Sequence, residues 1–252
     1  MAQLSTLIER ADHWLRLEEI PDYPQALNGL QLENRGEVDR IVAAVDACLP
    51  VVRQAAEKER TLLVVHHGLF WQGAQKIAGA TYEKLRIGIE SDLAIYSAHI
   101  PLDVHSSLGN NACLLSALEL KGDFEPFFPW KGIDLGMRAR VKISREDLVR
   151  RVEHATGAPP HVCAGGPETI RNIGIITGGA GSEVAAAAEC GVDTLITGEG
   201  PHWSYTAAEE LGLNVIYGGH YATETFGVKA LAARWSEKFN LPWTFIDHPT
   251  GL

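Results

Sequence analysis

Short runs of consecutive apolar residues alternate along this chain with stretches in which apolar positions recur every three or four residues. The first pattern predicts buried strands and the second predicts helices that cover them. DRIVAAVD (39–46) reads as a strand, LPVVRQAAEKE (49–59) as a helix, TLLVVHHG (61–68) as a strand and LAIYSAH (93–99) as another. The order then returns: IRNIGIITGG (170–179), SEVAAAAECG (182–191), DTLITGEG (193–200) and NVIYGGH (214–220). Strands alternating with helices in this way predict an α/β fold with a partly parallel sheet.

The repetition extends to individual letters. LAIYSAH and NVIYGGH both end in a histidine, and each histidine is followed four residues later by a carboxylate, Asp103 or Glu224. Leading helices also correspond, STLIERADHWLR (5–16) with REDLVRRVEHATG (145–157). We therefore expect two similar α/β halves, 1–121 and 122–252, related by duplication of a unit of about 120 residues. The join is expected near KGDFEPFFPWKG (121–132), where Pro, Gly and aromatics interrupt the periodicity. A metal site in the crevice between matched halves is the natural place for shared chemistry.

Composition narrows the class. Of the 252 residues, 46% are hydrophobic and 21% charged, the balance of a globular protein. The N-terminal stretch is amphipathic with early acids, and no apolar run reaches membrane-spanning length, so the expected location is the cytoplasm. Cys48, Cys113, Cys163 and Cys190 lie far apart, without CxxC spacing, and are expected to be buried reduced thiols. A net charge of −10 disfavours broad attraction to nucleic acid. The one basic exception is Arg138, Arg140, Lys142, Arg145, Arg150 and Arg151, either a phosphate-facing patch or a solvated strand and helix face.

Candidate chemistry gathers where strands end. His66 and His67 follow the apolar run TLLVV, His99 and His220 follow the two IY strands, and Asp103 and Glu224 lie just beyond. Loops leaving the carboxyl ends of strands are the usual ligand edge of an α/β sheet. Adjacent residues in a strand point to opposite faces, so His66 and His67 suit two different ions. We expect His66, His67, Asp103, His220 and Glu224 to hold two divalent ions. Imidazole with carboxylate suits zinc, manganese, iron, cobalt or nickel, whereas calcium and magnesium want oxygen alone. Thr223 is expected to cap a helix over 223–239, placing Glu224 in its first turn. His99 is read as orienting Asp103 or a water, with a sixth-ligand role as the alternative. Glu199 is the candidate general base, and His202 a second proton carrier.

With these residues in view, the chain resembles the Nif-three-like dinuclear metal proteins, also known as GTP cyclohydrolase 1 type 2 homologues. The carriers are NGLQLE (28–33), VVHHGLFW (64–71), SAHIPLDVHSSLGNN (97–111), ITGGAG (176–181), DTLITGE (193–199) and GGHYATE (218–224). The family's metal positions fall on the same five residues. Ile100 stands where the family usually has Thr, and no large domain is inserted between the halves. The resemblance implies a toroidal homohexamer and, in some members, hydrolytic opening of the GTP imidazole ring.

Three functions follow as expectations. The first is metal-dependent hydrolysis of a nucleotide or related heterocycle, with attack at an electrophilic carbon such as guanine C8. GGAGS (178–182) offers backbone N–H groups for a phosphate, although a plain tight turn accounts for it as well. The second is a non-catalytic metal-stabilised ring that binds single-stranded DNA or a protein partner through the arginine cluster. The third, a purely structural metal role, ranks last because five ligands leave two ions open.

Overall fold

The computed structural model describes residues 1–252 except 72 and 74. It is a mixed α/β protein whose chain forms two compact units, Met1–His105 with Gly227–His248, and Ser106–Phe226 with Pro249–Leu252. Among the described residues, no helix is long and apolar enough to cross a membrane.

In the first unit, Arg40–Asp46, Thr61–His67 and Leu93–Ser97 run parallel at the centre of a five-stranded sheet. Trp243–Phe245 extends it in parallel beside Arg40–Asp46, and Gly29–Leu32 closes the other side antiparallel to Leu93–Ser97. Residues 61 to 66 are all buried, which is why that strand reads as a continuous apolar run rather than an alternation. Each fully buried Val or Leu there contributes about 1.5–3 kcal/mol. The helices Leu49–Ala55 and Gly79–Glu90 are the crossovers that a parallel pairing requires.

The second unit repeats these connections. Thr169–Ile175, Thr194–Thr197 and Asn214–Tyr217 run parallel, and His161–Ala164 lies antiparallel beside the third of them. In both units a leading helix and a short antiparallel strand precede the parallel trio, and a four-residue helix follows it: Ile100–Asp103 and His220–Thr223. The leading helix Arg145–Thr156 is capped at both ends. Ser144 Oγ accepts from the Asp147 N–H at 3.1 Å, and Gly157 closes it with φ of 82°.

Several elements differ from the sequence expectation. The stretch 121–132 is not an interruption: Asp123–Trp130 is a strand in a hairpin with Ile133–Ser144, burying Phe127 and Phe128. Its prolines are tolerated because it is the edge strand of the six-stranded sheet. The helix expected over 49–59 stops at Ala55, where the following charged residues have no apolar face left to bury. The helix expected over 182–191 begins as a 3-10 turn, Ala180–Glu183, and continues as Val184–Glu189. All four cysteines are free thiols, but only Cys163 is fully buried.

Candidate metal centre

In the first unit, register brings the chemistry together. Asp46 pairs with His67 across the two parallel strands, and its Oδ1 lies 2.9 Å from His67 Nδ1. His66, one residue earlier and fully buried, places Nδ1 2.9 Å from the Ala98 carbonyl. His99, at the start of the Ile100–Asp103 helix, places Nδ1 2.9 and 3.1 Å from the two oxygens of Asp22. His66 and His67 do not splay to opposite faces as the strand alternation predicted. Their ring centroids are 4.8 Å apart, because His67 is the last residue of the strand. His99 joins them, 4.8 Å from His66 and 5.7 Å from His67 between centroids. One ligand atom from each of the three rings lies within 4.8 Å of the others. Asp103, 8% exposed, brings Oδ2 to 3.6 Å from His66 Nε2.

Carbonyl and carboxylate oxygens only accept, so each of these rings donates from Nδ1 and turns Nε2 to the opposite side. Burial lowers the pKa of His99; the Asp22 hydrogen bond opposes the shift and His66 adds to it. Burial opposes the charge on Asp22, yet hydrogen bonds from His99, Asn28 and the Tyr23 N–H outweigh it and hold the carboxyl below its usual range. A neutral imidazole braced by a carboxylate is the arrangement that orients a metal-ligating histidine. Three imidazoles with ligand atoms in one small volume fit a divalent cation, and an imidazole-rich set fits a first-row transition ion.

In the second unit, His220 lies between two carboxylates. Its Nδ1 is 2.8 Å from Glu199 Oε1 and its Nε2 is 3.1 Å from Glu224 Oε1. Burial pushes the His220 pKa down, but hydrogen bonds and charge from Glu224 and Glu199 prevail and raise it to about 9. The metal-free imidazole is therefore cationic at neutral pH. Its proton at Nε2 occupies the place a cation would take.

The glycine loops fit around this pair. Gly178 has φ of 71°, and a β-carbon there would run into Glu224 Oε1 and approach His220 Nε2 to 3.4 Å. Gly198 has no room for one either, meeting the Gly178 carbonyl and the His220 Cα at 2.6 Å each. Both neighbourhoods need the backbone to come close to the ligands.

Some expected residues stand elsewhere. Thr223 caps no helix; its hydroxyl accepts from the Gly178 N–H and donates to the His220 carbonyl. The helix over 223–239 is two pieces, His220–Thr223 and Thr225–Phe239, with Glu224 at the break and 3% exposed. Three of the five N–H groups of GGAGS are used within the fold, as the plain turn reading expects. The Gly178, Ala180 and Gly181 N–H groups donate to Thr223, Thr197 and the Glu199 carbonyl. Glu199 engages His220, while His202 is exposed at the first residue of the His202–Glu210 helix. The arginine cluster is largely matched within the fold. Arg138 pairs with Glu125, Arg145 with Glu168, Arg150 with Asp147, and Arg151 donates to the Leu118 and Glu119 carbonyls. This pairing lowers the positive charge that the cluster presents to a phosphate and fits the reading of a solvated strand and helix face. Sequence reasoning missed Asp22 and Asp46, which carry no motif of their own, and passed over Asn28, which it held only as part of NGLQLE.

Comparison with known proteins identifies the family and the fold. A GTP cyclohydrolase 1 type 2 homolog of Deinococcus radiodurans is 42% identical over 248 residues, covering 98% of this chain and 93% of the relative. The crystal structure of TTHA1606 from Thermus thermophilus is 39% identical with a TM-score of 0.89, covering both chains in full. The solved structure of protein ybgI is 32% identical with a TM-score of 0.91, again over both full lengths. The family described as Duf34/NIF3 (NGG1p interacting factor 3) matches residues 2–250, and the chain belongs to it.

Proposed function

We propose that this protein holds two divalent metal ions on His66, His67, Asp103, His220 and Glu224 and is a metal-dependent hydrolase of a nucleotide or related heterocycle. One observation carries the reading. His66, His67 and His220 each have Nδ1 tied to an oxygen acceptor, so all three turn the same nitrogen, Nε2, toward ligation. Ions so held supply Lewis-acid polarisation and bring the acidity of water toward neutrality.

The protein's own groups do the rest. Glu199 orients His220 and, with its side chain 42% exposed, exchanges protons with solvent; His202 is a second carrier on the surface. Tyr23 and Trp71 meet edge to face at 6.2 Å, and Trp71 lies 4.2 Å from the His99 ring. Such an aromatic surface suits a planar base. The Deinococcus relative is named a GTP cyclohydrolase 1 type 2 homolog, and the family resemblance implies opening of the GTP imidazole ring. A cytoplasmic homohexamer completes the reading, supported by the family resemblance and open to sedimentation analysis.

The test incubates metal-reconstituted full-length protein with GTP and other purine nucleotides and measures formate. Release that disappears in Glu224→Ala supports hydrolysis. Metal-loaded protein that turns over none of these nucleotides contradicts it.

A further inference from the structure

The loop before Gly29–Leu32 is built around one imidazole. Asp22 accepts from the His99 ring with both oxygens, and also from Asn28 Nδ2 at 2.7 Å, the Tyr23 N–H at 2.6 Å and the Ile100 N–H at 3.2 Å. Asn28 in turn accepts the His99 backbone N–H on Oδ1 at 2.7 Å. Both the ring and the backbone of His99 are thus fixed, the ring by a carboxylate whose side chain is only 7% exposed. Trp71 packs edge-on against the ring at 82° and hinders its rotation.

Burying a carboxylate costs several kcal/mol unless its oxygens are satisfied. What the brace does achieve is direction: with Nδ1 on Asp22, Nε2 is the nitrogen left to meet the rings of His66 and His67, with which His99 forms a group of ligand atoms within 4.8 Å.

We propose that His99 is a further metal ligand and Asp22 its positioning residue, so that the ion of the first unit draws on the His99 imidazole in addition to the ligands already named there, His66, His67 and Asp103. This rests on the dinuclear reading above and refines it: the two ions are chemically unequal. The ion of the first unit has nitrogen-rich ligation and prefers zinc, cobalt or nickel to manganese or magnesium. The ion served by His220 and Glu224 has the larger carboxylate share.

The test titrates cobalt(II) into chelator-treated full-length protein, following visible d–d absorption and binding, for wild type, His99→Ala and Asp22→Asn. Circular dichroism of the metal-free forms serves as the folding control. Expected is cobalt binding about 10–100-fold weaker in Asp22→Asn, a greater loss in His99→Ala, and altered d–d bands in both. If His99→Ala does not fold, Asp22→Asn decides alone. Unchanged affinity and bands in the folded variants overturn the inference and leave the dinuclear reading standing. Wild type that binds no cobalt overturns both.

Discussion

Asp46 and His67 face each other across two parallel strands, and their register sets a carboxylate oxygen 2.9 Å from the ring Nδ1. A pair fixed by strand register is rigid, because shifting it by one residue would turn every side chain of a fully buried strand to the other face. Asp46→Asn keeps the shape and removes the charge. The expected result is metal affinity lower by roughly 10–100-fold with an unchanged thermal midpoint of the metal-free protein, read by competitive chelator titration.

Gly178 sets the approach of the backbone to Glu224. Gly178→Ala adds a methyl where Glu224 Oε1 lies and places a non-glycine residue at φ of 71°. We expect a loss of roughly 1–2 kcal/mol from the backbone conformation alone, seen as a lower denaturant midpoint. The same variant should retain less metal, because Glu224 must move.

The pH dependence of the metal-free protein follows from His220. Its folded pKa of about 9 lies above the ordinary 6.5, so the protonated form is stabilised by folding. That contribution is complete below pH 6.5 and disappears as pH rises to about 9. Metal-free wild type should therefore lose stability between these values relative to His220→Gln, measured by urea denaturation in chelator. Because an ion displaces the Nε2 proton, metal binding near neutral pH should release protons into a weakly buffered solution.

The arginines at 138, 145, 150 and 151 are engaged with Glu125, Glu168, Asp147 and two carbonyls. Single-stranded DNA should bind weakly, and Arg138→Ala should leave that binding unchanged in fluorescence anisotropy at low salt. Loss of a strong, salt-sensitive affinity in this variant would favour the adaptor alternative over hydrolysis.

The sequence was most readable where one force dominated. Fully buried parallel strands announced themselves as apolar runs, and the repeated His-x-x-x-acid pattern marked the ends of the third parallel strand in each unit. It was least readable where two signals competed. Phe127 and Phe128 bury within a proline-bearing edge strand, so 121–132 looked like a break; a helix pattern running through Glu224 concealed the break that sets its carboxylate beside His220. Asp22 and Asp46 left no trace because a carboxylate that orients a histidine is chosen by spatial proximity, 77 and 21 residues away in the chain.

The most direct measurement is elemental analysis of full-length protein reconstituted with a first-row divalent ion and freed of excess by gel filtration, beside Glu224→Ala and His67→Ala. The expected result is two ions per wild-type chain and fewer than two in each variant. Wild type that retains no ion, or variants that retain the wild-type number, would contradict the metal centre on which the functional reading rests.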